Sequence, residues 1–407
     1  MRGGDLRCGA AGPGRIAWDG HWTDRIPGPR PPCAHRAGFP AATEFAMRTA
    51  AVVGTGLIGT SVALALAARG ITVYLHDADA TAVRTAAALG AGLAETPPAP
   101  VDLAVLAVPP GRIGATLKSC QDADLAHSYT DVGSVKEQPL RDIEALGCDV
   151  SRYIGGHPLA GRERSGPLAA RADLFDGRPW VLTPARDTDT ETLNRALEMV
   201  ALCRAVPVVM EPRAHDHAVA LVSHAPHLVS ALMAARLEEA ADSATRLAGQ
   251  GVRDVTRIAG SDPRLWIEIL GANAGAVADV LAGVADDLHD TVAALRALAA
   301  EDDAKRQEGS DGIAGILRRG NAGHARIPGK HGAPAARYEA VPVVVGDQPG
   351  ELARLFADVG ASGVNIEDIA IDHAPGRAAG LVELMIDPAA ADGLVLDLRR
   401  KGWNVQR

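Results

Sequence analysis

Two polar loop segments carry the side chains best suited to chemistry, and each follows a short apolar run. The first contains Asp131, Ser134 and Lys136, and the second holds His157 in a Gly-Gly-His-Pro turn. An imidazole titrates near pH 6.5, so His157 could act as a general base near neutrality. We expect Ser134 to hydrogen-bond to this ring and orient it. A turn histidine satisfied by backbone groups is the alternative.

Three further histidines follow at a helical spacing. His217, His224 and His227 are seven and three residues apart, so at 100° per residue they would share one face of a helix. Histidine clusters suit zinc or iron, but no carboxylate lies at a matching spacing, and Asp216 is expected to point away from that face. Imidazoles that face a substrate or an interface are therefore favoured, and no metal is predicted.

Two arginines precede a helix start signal, Asp262-Pro263. Arg253 and Arg257 lie four residues apart, so we expect one to face the site and the other to pair at the surface. Arginine binds carboxylates through two parallel hydrogen bonds, and Arg257 is the favoured candidate. A solvated ion pair is the alternative for either residue.

A glycine turn after the first apolar strand predicts a dinucleotide site. The strand Ala51 to Val53 leads into Gly-Thr-Gly-Leu-Ile-Gly and then into an Ala- and Leu-rich helix. This order suits a tight turn, close approach to a pyrophosphate, and a helix N-terminus aimed at the phosphates. The predicted contacts are Gly54, Gly56, Leu57, Ile58 and Gly59.

Asp77 ends the second apolar run and would accept hydrogen bonds from the adenosine ribose. Its charge would repel a 2′-phosphate, and no arginine occurs in residues 78–82, so NAD is favoured over NADP. The next strand ends near Val108 and Pro109, which with Ser134 should face the cofactor. A plain strand-turn-helix with a solvated Asp77 is the alternative.

The surrounding pattern predicts several regions. In residues 47–212 short apolar strands alternate with helices, which indicates an α/β Rossmann-like, doubly wound, mostly parallel sheet. Residues 213–303 are Ala- and Leu-rich with a helical period, so we expect an all-helical substrate domain that packs on its twin in a homodimer. Residues 304–336 are polar and Gly-rich and are predicted to be a linker with at most a short helix. Residues 337–407 follow a βαββαβ order, typical of a ferredoxin-like domain.

Composition narrows the functional class. The chain has 407 residues, 47% of them hydrophobic and 22% charged, with a net charge of −9 and no basic stripe for nucleic acid. Five scattered cysteines suit a reduced cytoplasm, and no uninterrupted apolar stretch reaches the roughly 18 residues of a membrane span. Residues 1–46 are rich in Gly, Pro and Arg and are predicted to be a disordered extension upstream of a natural start at Met47.

From Met47 to about Ala300, the chain resembles the prephenate dehydrogenase family of tyrosine biosynthesis. The resemblance rests on Gly-Leu-Ile-Gly-Thr-Ser, Asp-Val-Gly-Ser-Val-Lys, Gly-Gly-His-Pro-Leu-Ala-Gly-Arg-Glu-Arg-Ser-Gly, Val-Ser-His-Ala-Pro-His and Asp-Val-Thr-Arg-Ile-Ala-Gly-Ser-Asp-Pro-Arg-Leu-Trp. One departure is Leu159, where Met is common. The tail, with Asp347-Gln-Pro-Gly350 and Val364-Asn365-Ile366, resembles an ACT domain, an amino-acid-sensing module.

This resemblance implies oxidative decarboxylation of prephenate to 4-hydroxyphenylpyruvate, with NAD reduced. His157 would deprotonate the ring hydroxyl, Ser134 would assist, and Arg257 would hold a substrate carboxylate. The substrate-binding set it implies is Ser134, His157, Glu163, His224, His227 and Arg257. In the tail, Asp347, Gly350 and Asn365 would bind an effector, for which tyrosine is the simplest choice.

Three rival hypotheses remain open from sequence. Arogenate dehydrogenase performs the same chemistry on an amino acid. A β-hydroxyacid dehydrogenase would need a catalytic lysine on the interdomain helix, for which this chain shows no evident counterpart. A regulator that binds NAD and an amino acid without turnover is disfavoured by His157, Ser134 and Arg257 being present together.

Overall fold

A computed structural model describes residues 46–161, 166–327, 338–373 and 379–406. Two sequence predictions lie outside this described part: the disorder of the N-terminal extension through residue 45, and the substrate-binding role of Glu163. The strands and helices that follow are numbered in chain order.

The first region is a seven-stranded sheet with helices on its faces. Its strands are β1 Thr49–Val53, β2 Thr72–His76, β3 Val101–Leu106, β4 Ala126–Asp131, β5 Tyr153–Pro158, β6 Pro179–Pro184 and β7 Val206–Val209. Its helices are α1 Leu57–Ala67, α2 Ala80–Ala88, α3 Ile113–Asp122, α4 Glu137–Ala145 and α5 Thr190–Leu202. The strand order is β2-β1-β3-β4-β5-β6-β7.

Strands β1 to β5 are parallel, which confirms the predicted Rossmann-like sheet. Strand β6 pairs antiparallel with β5, and β7 runs parallel to β6, so the last two strands are reversed. A parallel return needs a crossover, usually a helix. Among the described residues between β5 and β6, the one helical element is the short 3₁₀ turn Pro167–Ala169, which is not a crossover helix.

The sheet is held by apolar strands that are buried on both faces. Val52, Leu103 and Val105 are fully buried, as expected for central parallel strands. Helix α1 lies against them because Gly59 lacks a side chain: a Cβ there would lie 1.9 Å from the Gly54 carbonyl oxygen and 2.8 Å from the Ala107 Cβ. The third glycine of the turn therefore permits the close helix-sheet contact.

The second region is helical. It comprises α6 Pro212–Val219, a π-helix Ala220–His224, α7 Ala225–Glu238, α8 Asp242–Thr245, α9 Gln250–Thr256, α10 Pro263–Ala272, α11 Ala274–Leu298 and α12 Asp303–His324. By length and hydropathy alone, the continuous stretch Pro212–Glu238 could span a membrane. Its buried His215 and Asp216, however, are hydrogen-bonded to residues of the sheet region, so it is a helix of the folded domain.

Helix α12 corrects the predicted linker. Residues 303–324 form one continuous helix that packs along α11. A Cβ on Gly309 would lie 2.5 Å from the Leu298 nitrogen, so the glycine permits the two backbones to touch. Arg319 also binds Asp287 of α11 through two hydrogen bonds of 2.8 and 2.9 Å. Two of the glycines that indicated a linker, Gly309 and Gly312, therefore serve helix packing.

The last region has the predicted βαββαβ order. Its elements are β8 Glu339–Gly346, α13 Glu351–Ala361, β9 Asp368–His373, β10 Ala379–Ile386, α14 Pro388–Arg400 and β11 Asn404–Val405. The four strands form an antiparallel sheet in the order β11-β8-β10-β9. Val341, Val343, Leu355 and Leu398 are fully buried in its own hydrophobic core.

Candidate active site

The glycine turn leaves an open space beside the first helix. Gly54 has φ +105° and its N–H donates to the His76 carbonyl at 2.8 Å, and a Cβ there would strike the Ala107 backbone. A Cβ on Gly56 would meet no described atom within 4 Å. Gly56 also begins α1, whose first turn lacks an acidic residue or a side-chain cap within the described chain. The N–H groups of Leu57 and Ile58 thus border a space that suits a pyrophosphate.

Asp77 is fixed against this turn. One carboxylate oxygen accepts hydrogen bonds from the Thr55 N–H at 2.6 Å and the Thr55 hydroxyl at 3.0 Å, and the other accepts from the Asp79 N–H at 2.9 Å. Partial burial raises the pKa of Asp77, but these hydrogen bonds outweigh it, and the pKa lies below its usual value. Asp77 is therefore an anchored anion at the tip of β2.

Val108 and Pro109 follow β3 next to the same turn. The Ala107 N–H donates to the Val53 carbonyl at 2.7 Å, which holds the end of β3 beside β1. Pro109 also lines a cleft of about 440 Å³, whose far wall is formed by Glu268 and neighbouring residues of α10. The cleft lies between residues that follow the carboxyl end of β3 and residues of α10, and ligands of α/β folds bind beyond the carboxyl ends of the strands.

A chain of three side chains leads from His157, which lies in strand β5 and not in the predicted turn, into the helical region. The His157 Nδ1 lies 2.8 Å from the His215 Nε2, and the His215 Nδ1 lies 2.7 Å from Asp216 Oδ1. His215 and Asp216 are buried, whereas His157 is half-buried at the end of β5. His215 thus occupies the orienting position predicted for Ser134. The Ser134 side chain lies half-buried in the loop before α4, with no hydrogen-bond partner among the residues described.

Asp216 also joins the two regions. Its carboxylate accepts hydrogen bonds from the backbone N–H groups of Lys136 at 2.8 Å and Glu137 at 2.9 Å, where helix α4 begins. A helix N-terminus stabilises a negative charge. The expectation that Asp216 points away from the face of the three histidines is wrong for His224: Asp216 is buried, and its charge acts on the nearby His224 ring.

A second buried polar cluster lies behind His157. Asp131 forms an ion pair with Lys136 and accepts hydrogen bonds from the Tyr153 hydroxyl at 2.6 Å and the Gly133 N–H at 2.6 Å. A Cβ on the glycine before His157, Gly156, would lie 2.4 Å from the Asp131 carbonyl oxygen. The Gly-Gly-His-Pro sequence therefore brings the β5 backbone against this cluster.

The surroundings of His157 favour its neutral form. Burial lowers the pKa of His157 well below its usual value, and the nearby His215, Lys136 and His224 lower it further. The pKa of Lys136 is itself lowered by burial, against the opposing effect of the Asp131 and Asp216 carboxylates. A neutral imidazole can accept a proton, which a general base requires.

His224 and His227 line an adjacent buried cluster. His227 stacks on Trp266 with ring centroids 3.5 Å apart, and His224 meets the same indole edge-on at 6.1 Å. His217, in contrast, is exposed. The predicted shared face of all three is wrong because the π-helix Ala220–His224 lies between His217 and α7, and its wider turn alters the angle between residues.

The two arginines lie on the exposed side of the helical region. Arg253 is in α9, and Arg257 follows in the short 3₁₀ turn Arg257–Ala259. Both side chains are exposed in the single chain. The structure therefore brings Arg257 into no hydrogen bond with the histidine network within the described residues.

Sequence reasoning missed His215, Trp266 and Asn273 as members of the site. His215 directly precedes Asp216, and a neighbouring His-Asp pair beside a candidate base was the one local signal. Asn273 and Trp266 carry no such signal, since they are joined to the site only by contacts across the helical region.

Comparisons with known proteins agree with this architecture. Residues 62–209 match the family model described as "Prephenate dehydrogenase, nucleotide-binding domain", and residues 211–306 match "Prephenate dehydrogenase, dimerization domain". A probable prephenate dehydrogenase, NovF, from Streptomyces niveus is 45% identical over 88% of this chain and 99% of its own length.

Two solved structures resemble the chain with the same sequence identity and TM-score. One is prephenate dehydrogenase from A. aeolicus in complex with hydroxyphenyl propionate and NAD+, with 27% identity, a TM-score of 0.58, and coverage of 69% of this chain and 99% of that one. The other is arogenate dehydrogenase from Synechocystis, with 27% identity, a TM-score of 0.58, and coverage of 68% and 98%.

Proposed function

Because the chain belongs to the prephenate dehydrogenase family of NAD-dependent oxidoreductases, we propose that it converts prephenate to 4-hydroxyphenylpyruvate with His157 as the general base. The carbinol carbon of the substrate loses a hydride and its hydroxyl gives a proton to His157. CO2 then departs as the ring becomes aromatic, and the phenolate oxygen so formed takes a proton back. The observation that best supports this role of His157 is the chain of hydrogen bonds from His157 through His215 to Asp216.

Hydrogen-bond chemistry assigns the proton positions along this chain. An ionised Asp216 only accepts hydrogen bonds, so the His215 Nδ1 carries a hydrogen and donates it. The His215 Nε2 then accepts, so the hydrogen of His157 lies on its Nδ1. The His157 Nε2 keeps its lone pair and can take the hydroxyl proton of the substrate.

The turn after β1 fits the cofactor. Gly54, Gly56, Leu57, Ile58 and Gly59 would hold its pyrophosphate. Asp77 would bind the adenosine ribose, while Val108, Pro109 and Ser134 would border the nicotinamide side. When bound, NAD supplies the hydride acceptor. The anchored charge of Asp77 favours NAD over NADP.

The remaining predicted side chains would bind the substrate. Arg257 would hold a carboxylate, His227 would contact the substrate beside Trp266, and Ser134 would hydrogen-bond to the hydroxyl. Glu163, which lies outside the described residues, would contact the same ligand. The substrate's own loss of CO2 drives the reaction, so these groups mainly position it and polarise its hydroxyl.

We propose that the helical region forms a homodimer. Leu221, Val222, Leu232 and Leu288 are each more than half exposed in the single chain. Such an apolar surface indicates an interface.

Cys120, Cys148 and Cys203 are buried free thiols, which suits a reduced compartment, and we propose a cytoplasmic location.

The substitution His157→Asn tests the proposal. It should lower kcat for prephenate by about 10²-fold or more, because general-base catalysis typically contributes that much, and leave the Kd of NAD unchanged. The matched control is His127→Asn, an exposed histidine of β4. Because the pKa of His157 is depressed, the acid limb of kcat/KM should lie below pH 6.5, where the base becomes protonated.

Assays with prephenate and arogenate as alternative substrates complete this test. Prephenate should give the higher kcat/KM, measured by NADH absorbance. A His157→Asn enzyme with normal turnover would remove His157 from the mechanism. A wild-type enzyme that prefers arogenate would overturn the substrate assignment.

A further inference from the structure

Asn273 occupies the corner between α10 and α11, where the two helices meet at 96°. Its side chain is buried, with 6% of the residue exposed. The amide Nδ2 lies 2.8 Å from the Asp216 carbonyl oxygen and 3.2 Å from the His224 Nδ1. One amide group therefore contacts both the Asp216 backbone and the His224 imidazole.

These two contacts determine which groups donate. A carbonyl oxygen only accepts hydrogen bonds, so the amide NH2 of Asn273, and not its oxygen, must face Asp216. The NH2 group has two hydrogens and no acceptor, so the His224 Nδ1 must accept as well. The ring hydrogen of His224 then lies on Nε2, and an imidazolium would turn an N–H towards the amide donor.

We propose that Asn273 is a positioning residue that holds His224 as the neutral tautomer protonated on Nε2. His224 would then offer an N–H donor to an anionic or hydroxyl-bearing ligand without bringing a positive charge into the site. The consequence for catalysis rests on the proposed function: a charged His224 would oppose proton uptake by His157.

The groups around His224 are consistent with a neutral ring. Asp216 and His215 face it from α6, His157 lies nearby at the end of β5, and His227 lies across Trp266 on α7. Burial lowers the pKa of His224, and His215 lowers it further, whereas the Asp216 carboxylate opposes this shift. Asn273 adds a directional contact, which selects one tautomer.

Imidazole nitrogen NMR of the full-length protein, labelled with ¹⁵N-histidine, tests the proposal directly. The signals of His224 are identified by their loss in His224→Gln. In the wild type, Nδ1 should be unprotonated and Nε2 protonated between about pH 6 and pH 8. A His224 protonated on Nδ1, or an imidazolium at neutral pH, would overturn the proposal. This readout needs no turnover, so it stands apart from any failure of the proposed reaction.

The isosteric substitution Asn273→Asp provides the second test. A carboxylate accepts where the amide donated, so His224 should become protonated on Nδ1. We expect kcat/KM for prephenate to fall about tenfold with the Kd of NAD unchanged. Asn194→Asp, at an exposed position of α5, is the matched control and should alter neither. An Asn273→Asp enzyme with wild-type His224 signals and kcat/KM would contradict the assignment.

Discussion

At the scale of single residues, the proton positions along His157, His215 and Asp216 determine whether His157 can act as a base. In Asp216→Asn, an amide NH2 in the place of Oδ1 would donate to the His215 Nδ1 and give up the contact with the Lys136 N–H, while the amide oxygen in the place of Oδ2 would keep the contact with the Glu137 N–H. Both rings would then change tautomer, and the His157 Nε2 would carry a hydrogen. We expect kcat to fall about 10²-fold or more with NAD binding intact.

The control for this substitution is Asp176→Asn. That aspartate pairs at the surface with Arg204, so its loss should leave kcat unchanged. Stopped-flow or steady-state NADH formation provides the measurement. Normal turnover in Asp216→Asn would show that the proton pattern is not set by this carboxylate.

Cofactor preference depends on Asp77. Asp77→Ser removes the fixed charge that a 2′-phosphate would meet, so the ratio of kcat/KM for NADP to that for NAD should rise about tenfold or more. The control is Thr55→Val, which loses the hydroxyl contact with Asp77 but keeps the charge. Equal changes in both variants would mean that the shape of the turn, and not the charge, sets the preference.

The cofactor residues could be predicted from the sequence, whereas the contacts of His157, His215 and Asp216 could not. The glycine turn and Asp77 lie within about 25 residues of each other, and their roles follow from local order. The partners of Asp216 are 79 and 80 residues away in the chain, and His157 is 58 residues from His215. Such pairs form only when the two regions pack together. The periodicity of one segment therefore cannot predict them.

At the scale of elements, composition likewise did not reveal that α12 is a helix. Five glycines in residues 309–323 lie in a polar stretch, a composition typical of linkers. Gly309 and Gly312 are three residues apart, so they lie on one side of a helix, where both approach α11. The π-helix before α7 was missed for a similar reason, since a helical period of 3.6 residues was assumed throughout.

Replacing either of two glycines of α12 with alanine should have opposite effects on the free energy of unfolding. Gly309→Ala would place a Cβ 2.5 Å from the Leu298 nitrogen, so it should lower the free energy of unfolding by about 1–3 kcal/mol. Gly315→Ala meets no described atom within 4 Å and should raise it by about 0.5–1 kcal/mol. Urea titrations at one protein concentration measure both. Stabilisation by both substitutions would show that α12 does not pack tightly on α11.

At the scale of the whole molecule, the C-terminal region stands outside the catalytic network. Its hydrophobic core is its own, and the predicted catalytic residues all precede residue 304. We propose that it is an ACT-like sensor for tyrosine. Gly350, with φ +94°, begins α13 after the exposed Asp347, and Asn365 lies before β9, with its amide bound to Glu367. The Glu351 N–H already donates to the Gln348 carbonyl at 3.3 Å, so the next backbone N–H groups of α13 would receive the amino acid's carboxylate.

Tyrosine should therefore inhibit the full chain but not a chain that ends at Ile327. Ending there retains α12 against α11, whereas a chain ending near Asp303 would lose that packing as well. A coupling of about 1–3 kcal/mol would change substrate affinity about 5- to 150-fold. Without tyrosine, both chains should have the same kcat. Equal inhibition of both would place tyrosine in the active site, and calorimetry that detects no tyrosine binding to the full chain would leave the C-terminal region with a structural role.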